Sequence, residues 1–182
     1  MPREETRWPP WTQASPTRRE HVARVVGLLG EWADAMGLDA AEAAAWRDAG
    51  WWHDALRDAD ETTLRTWSTD PAAPVPLLHG PAAAARLQAD GETRAGVLAA
   101  IRWHTVGSAD WDRTGQALYM ADFLEPGRGF RQAERAQLAA QVPTAFATVF
   151  REVVRMRLEW TVHTGRPLLA NTVALWNQVC LA

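Results

Sequence analysis

The sequence predicts an all-α fold, and three observations carry that prediction. Apolar residues recur at helical spacing through most of the 182 residues. No stretch sustains the two-residue alternation of a half-buried strand, and no Asn-Gly hairpin signal occurs. Gly and Pro residues punctuate the chain where the periodic stretches stop.

The elements follow in order. Residues 1–15 read as a polar, Pro-bearing N-terminal arm, and residues 16–182 as one domain, large enough for its own core. Thr17 is expected to cap a first helix running to about Met36, with His21, Val25, Leu28 or Leu29, and Trp32 on one face. Gly37 ends it. A second helix starts near Asp39, with Glu42 completing a capping-box-like pair, and continues towards Asp58. Residues 68–76, with three prolines, form a loop. Helices are expected over residues 79–89, 93–104, from Arg113 to before Pro126, and over 130–141. Pro143 then opens a long helix lined by Phe146, Val149, Phe150, Val153, Val154 and Trp160. The run Gly165-Arg166-Pro167 breaks it, and a last helix covers 168–180.

Composition narrows the function. Apolar residues make up 47% and charged residues 23%, as in ordinary globular domains. No apolar run approaches the ~18 residues a bilayer requires, so no membrane partner is expected. The first residues carry no secretory h-region, and Cys180 has no second cysteine to pair with; both point to the cytoplasm. The formal net charge is −3 with no basic stripe, which excludes nucleic acid as the expected partner. Tryptophan is in excess, at 11 residues: most are expected in the core or between helices, with one or two placed to stack on a base.

The stretch "WWHDALRD" puts His53 against Asp54 inside an apolar, helix-like run. Similar placements recur: His21 in the first helix, His79 opening one, His104 closing another, Asp122 within "LYMADFLE". Any one of these reads as a hydrogen-bonded core residue or a satisfied cap. As a set, six imidazole and carboxylate groups aimed into one core leave hydrogen bonds unmet unless cations sit among them. Imidazole plus carboxylate suits iron, manganese or zinc. Neighbours on a helix project about 100° apart, so Asp54 can offer its two oxygens to two metals. A water held between two such cations becomes a nucleophile for phosphorus.

These motifs resemble the HD-domain metal-dependent phosphohydrolase superfamily. "TRREHVARVVGLLGEWA", "LLHGPAAA", "AIRWHTVG", "LYMADFLEPGRGF" and "RPLLANTVALWN" are similar to one branch of it in particular, the YqeK-type symmetrical bis(5′-nucleosyl)-tetraphosphatases. The resemblance spans about residues 15–178. It implies an HD-type helical bundle, a cytoplasmic enzyme, and cleavage of diadenosine tetraphosphate into two ADP. It also implies two divalent or mixed-valence metal ions, iron first, held by His21, His53, Asp54, His79, His104 and Asp122. Asp54 would bridge them. Asp54 and Arg57 are the candidate catalytic residues, and Arg57, Thr105, Gly107 and Arg128 the candidate substrate contacts. Glu125 is expected to orient a neighbour, and His163 to lie outside the site.

The chain departs from the branch's pattern at Arg57, where a lysine is usual, and at Trp51, Trp111, Asp112 and Gln116. None is a ligand position, so these departures bear on substrate choice. Two other readings stay open: a phosphohydrolase of another nucleotide (a nucleoside monophosphate, deoxynucleotide or guanosine polyphosphate), and a non-catalytic ligand-binding module. The partner is a small nucleotide in the first two cases; monomer and homodimer both remain open.

Overall fold

The computed structural model describes residues 7–68 and 72–181. Among them are eight α-helices and no strand: α1 (Pro16–Ala35), α2 (Ala40–Trp52), α3 (Glu61–Trp67), α4 (His79–Ala89), α5 (Ala95–Trp103), α6 (Arg113–Leu124), α7 (Gln132–His163) and α8 (Ala170–Leu181). Within these residues, no helix is long and apolar enough to cross a membrane.

Helix α6 is the centre of the bundle. Every residue from Thr114 to Leu124 except Gln116 is buried, which is the mark of a helix covered on all sides. It packs against α1, α2, α5 and α7, while α1 lies on α2 and α4 on α5. Two glycines set the close crossings. A Cβ on Gly50 would come within 2.8 Å of Leu29 Cδ1, so α1 and α2 touch there. A Cβ on Gly80 would lie 2.7 Å from the Ile101 carbonyl oxygen and 3.1 Å from His104 Cε1, so α4 rests directly on α5.

The helix starts follow side-chain chemistry. Asp39, Asp60 and Asp112 accept from the free N–H groups of α2, α3 and α6, each contributing about 1 kcal/mol. The cap of α1 is Ser15, with Pro16 in the first turn, rather than Thr17. A proline there loses no hydrogen bond and presets the helical φ, so the helix begins two residues early. The Glu42 carboxylate pairs with Arg113 at 3.3 Å instead of closing a capping box.

Other boundaries differ from expectation. The second helix stops at Trp52, and residues 53–58 continue as turns. Helix α3 was not expected; Asp60 starts it and seven residues complete it. The Pro-rich segment 68–76 is not wholly loop, because Val75–Leu77 forms a 3₁₀ turn; residues 69–71 lie outside the described part. The expected break near Pro143 is present but lies two residues later: α7 is two helices joined at a kink at Ala145, whose φ and ψ are −139° and 39°. On the apolar face of α7, Met156 is buried while Trp160 is 48% exposed.

The arm from Arg7 to Ser15 straps the 53–58 turn. Gln13 donates to the Ala55 carbonyl at 2.8 Å and accepts from Asp58 N–H at 3.1 Å. Trp8 meets Trp51 edge-on at 5.4 Å, and Trp52 Nε1 donates to the Arg7 carbonyl at 2.9 Å. Part of the tryptophan excess is therefore spent on this strap.

Gly80→Ala is expected to destabilise the fold by about 1–3 kcal/mol, because backbone must shift to admit one methyl group. Urea unfolding at constant m-value measures it.

Candidate metal centre

Five helices and their ends bring the six donor residues together. His21 comes from α1, His53 and Asp54 from the turn after α2, His79 from the start of α4, His104 from the end of α5, and Asp122 from α6. None is more than 7% exposed. The Asp54 carboxylate sits between two imidazole pairs. Its Oδ1 lies 3.2 Å from His79 Nε2 and 3.5 Å from His104 Nε2. Its Oδ2 lies 3.5 Å from His53 Nε2 and 3.8 Å from His21 Nε2. Asp122 Oδ1 is 3.2 Å from His21 Nε2. Two overlapping trios have the spacing of a metal site: His21, His53 and Asp122, and His53, Asp54 and His104.

The other ring nitrogens fix which way these imidazoles point. Nδ1 of His53, His79 and His104 faces the carbonyl three residues upstream, on Gly50 (2.7 Å), Pro76 (3.1 Å) and Ile101 (2.7 Å). A carbonyl only accepts, so each Nδ1 carries a proton and Nε2 is the atom turned inward. His21 Nδ1 faces Glu125 Oε1 at 3.1 Å. The Nε2 atoms of His21 and His53 are buried without a hydrogen-bond partner among the described residues. Those of His79 and His104 face each other at 3.0 Å, with Asp54 Oδ1 beside both. Such an arrangement is costly empty and is resolved by a cation. The donor set therefore fits divalent metal of the borderline class.

No known family profile matches the chain. It is 28% identical to the symmetrical bis(5′-nucleosyl)-tetraphosphatase of Halalkalibacterium halodurans over 106 residues, 58% of this chain and 56% of that protein. It is 40% identical to the protein of the same name from Staphylococcus aureus over 53 residues, 29% of this chain and 27% of that one. The chain thus spans about half, or less, of the length of the curated relatives it matches. A solved structure from Clostridium acetobutylicum, described as a predicted HD superfamily hydrolase involved in NAD metabolism, superposes with a TM-score of 0.75. That match covers 92% of this chain and 90% of the other at 23% identity, a likeness of fold.

The chain has the fold of an HD-type helical bundle.

Charge in this HD-type bundle is arranged around the two carboxylates. Burial pushes Asp54 up, but the surrounding histidines hold it well below the usual carboxylate range. Asp122 is likewise held low against burial, by Arg128, His21 and Arg157. Burial lowers His104 to about 4, despite its hydrogen bond to Asp54, so it is neutral. Burial opposes charge on His21 too, but the Asp122 and Glu125 carboxylates against its two ring nitrogens, with the charge of Asp54, prevail, raising it to about 9.

The candidate substrate residues divide. Arg128 is at the centre: it donates to Asp122 Oδ1 at 2.6 Å and to the Asp122 carbonyl at 2.9 Å. Thr105 Oγ1 lies 3.2 Å from His104 Nε2. Both line a cavity of about 510 Å³ that opens beside Asp122. Arg57 approaches the cluster through its backbone N–H, onto the Asp54 carbonyl at 3.0 Å. Its guanidinium forms no ion pair among the described residues. Instead Arg18 Nη1 holds Asp54 Oδ2 at 2.8 Å. Gly107 is not on the cavity wall; at φ +90° it turns the chain after α5 and packs on Leu175, 2.5 Å from where a Cβ would stand. Asp112 is spent capping α6, so its charge is not aimed at the site. His163 is exposed at the end of α7.

Glu125 does orient a neighbour. It holds His21 and accepts from Arg24 Nε at 2.6 Å and Gly127 N–H at 2.7 Å. Two further arginines had no visible signal in the sequence. Arg157 reaches from α7 to Asp122 Oδ2 (3.4 Å) and the Thr105 carbonyl (3.1 Å), with its guanidinium over Tyr119 at 4.0 Å. Arg135, 1% exposed, donates to the carbonyls of Phe123, Glu125, Arg128 and Phe130, fixing the segment that carries Glu125 and Arg128. Both read as surface charges on a long helix. A larger groove, about 620 Å³, lies between α1 and the first half of α7, away from every donor.

With His21 raised to about 9, the metal-free protein carries that proton at neutral pH, and metal must displace it. Apparent Mn²⁺ affinity is therefore expected to rise about tenfold per pH unit towards pH 9 and flatten above it. Glu125→Gln removes one anion holding the proton and moves the rise to lower pH. Calorimetric titrations from pH 6 upward test both; a flat profile contradicts them.

Proposed function

We propose that the protein is a metal-dependent phosphohydrolase that cleaves diadenosine tetraphosphate symmetrically into two ADP. The observation that carries the reading is the Asp54 carboxylate, with one oxygen on each of two imidazole pairs, in a cluster whose Asp122 lines a cavity. The names of the curated relatives support the substrate. His21, His53, Asp54, His79, His104 and Asp122 would hold two metal ions, iron in the first instance. All six come from one chain, so the centre needs no second subunit. Bound cations would supply Lewis-acid charge for the phosphoryl oxygens and an acidified water as nucleophile.

The chain's own residues do the rest. Asp54 stays ionised and is kept from swinging by Arg18. Arg128 and Arg157, both paired with Asp122 on the cavity wall, present remaining N–H groups to an entering polyphosphate. They take the clamping role expected of Arg57. Thr105 contacts the phosphates beside His104. Leu77, Val106 and Leu169 line the same cavity and exclude bulk water, which strengthens each of these contacts. A cytoplasmic location and a small nucleotide as sole partner belong to this reading.

A nucleotide panel tests it. Release of ADP alone from diadenosine tetraphosphate is the expected result; AMP with ATP, or preference for a nucleoside monophosphate or guanosine polyphosphate, contradicts it. Asp54→Ala is expected to lower metal content and, by more than about 100-fold, hydrolysis together. Nucleotide binding without turnover by the metal-loaded wild type would mark a binding module instead.

A further inference from the structure

The cavity beside Asp122 is divided by chemistry. At the metal end stand Asp122, Arg128, Arg157 and Thr105; Trp160 and the Arg166 stacked on it line the far part, and Phe130 also lines the wall. Trp160 and Phe130 are 48% and 44% exposed, and both are among the few large apolar side chains left open to solvent. Trp160 follows Arg157 by three residues on α7, so it lies on the same helix face, one turn farther from Asp122. The Arg166 guanidinium stacks on its ring at 4.5 Å. The indole thus has a cationic backing, and nearly half of its surface remains free.

The hydroxyls at this end are already committed. Thr161 Oγ1 donates to the Arg157 carbonyl at 2.8 Å and Thr172 Oγ1 to the Val106 carbonyl at 2.7 Å. No Asn, Gln, Ser, Asp or Glu side chain lines the aromatic end among the described residues. Arg166 only donates, and adenine and guanine share the N7 acceptor. A pocket that discriminates strongly needs buried polar groups left unpaired by the wrong ligand. Stacking does not supply that, since every base has a π-face.

We propose that Trp160, backed by Arg166, is the stacking platform for the base of a nucleotide whose phosphates lie on Arg128 and Arg157, and that the site accepts adenine and guanine nucleotides alike. This rests on the nucleotide reading above but not on where the polyphosphate is cut. The departures at Trp111, Asp112 and Gln116 do not bear on it, because none lines the cavity.

Calorimetric binding of ADP, GDP and inorganic pyrophosphate to the metal-loaded wild type, Trp160→Ala and Trp160→Phe tests the assignment. ADP and GDP should bind the wild type within about tenfold of each other. Trp160→Ala should weaken both by roughly 5- to 100-fold and leave pyrophosphate unchanged; Trp160→Phe should restore most of the loss. Equal weakening of pyrophosphate, no weakening of ADP, a purine preference beyond about 100-fold, or no nucleotide binding by the wild type would each overturn it. If these binding results hold while diadenosine tetraphosphate yields AMP and ATP, symmetrical cleavage fails and the platform stands. If symmetrical cleavage holds while Trp160→Ala binds ADP normally, the platform fails alone.

Discussion

The structure depends on one electrostatic constraint. Four imidazole Nε2 atoms are turned inward around the Asp54 carboxylate, and they cannot turn away. Three are fixed by the same local device: Nδ1 bonded to the carbonyl three residues upstream. The last carbonyls of a helix have no intrahelical partner. His53 and His104 sit at the ends of α2 and α5, and His79 directly follows the 3₁₀ turn over Val75–Leu77. Each histidine is placed where an orphan carbonyl is available. The helix ends are thus part of the centre, and the early stop of α2 is what aims His53.

The rest of the bundle keeps these ends together. Gly80 lets α4 rest on α5, which sets the His79–His104 approach. Gly50 lets α2 rest on α1, which brings His53 beside His21. Helix α6 carries Asp122 through the core, and Arg135 ties down the segment that follows it. A shell of arginines then balances the two carboxylates: Arg18 on Asp54, Arg128 and Arg157 on Asp122. In the 19 basic residues of the sequence there is no lysine. A guanidinium can hold a carboxylate with one edge and offer its other N–H groups to an anion, which a compact ammonium does less well.

Much of this was legible in the sequence. His21, His53, Asp54, His79, His104 and Asp122 each stand out as polar groups in apolar runs, and the structure brings all six to one point. The helix count failed where the signal was short: α3 has seven residues, too few for a periodic stripe, whereas the break near Pro143 is real and falls at Ala145. Of the two arginines expected at the site, Arg128 is on Asp122, while Arg57 shows no side-chain contact with the cluster among the described residues. Arg57 is three residues from Asp54 in sequence, whereas Arg157 reaches Asp122 from 35 residues away. Only tertiary packing chooses between them. Gly107 looks like channel lining in the sequence, yet its positive φ and its contact with Leu175 give it a turning and packing role.

The central claim is that Asp54 joins two cation sites. Anomalous diffraction from crystals of the metal-loaded protein tests it most directly. The account predicts two peaks flanking the Asp54 carboxylate, one towards His79 and His104 and one towards His21 and Asp122. A single peak away from Asp54, or none within ligand distance of these histidines, would contradict it.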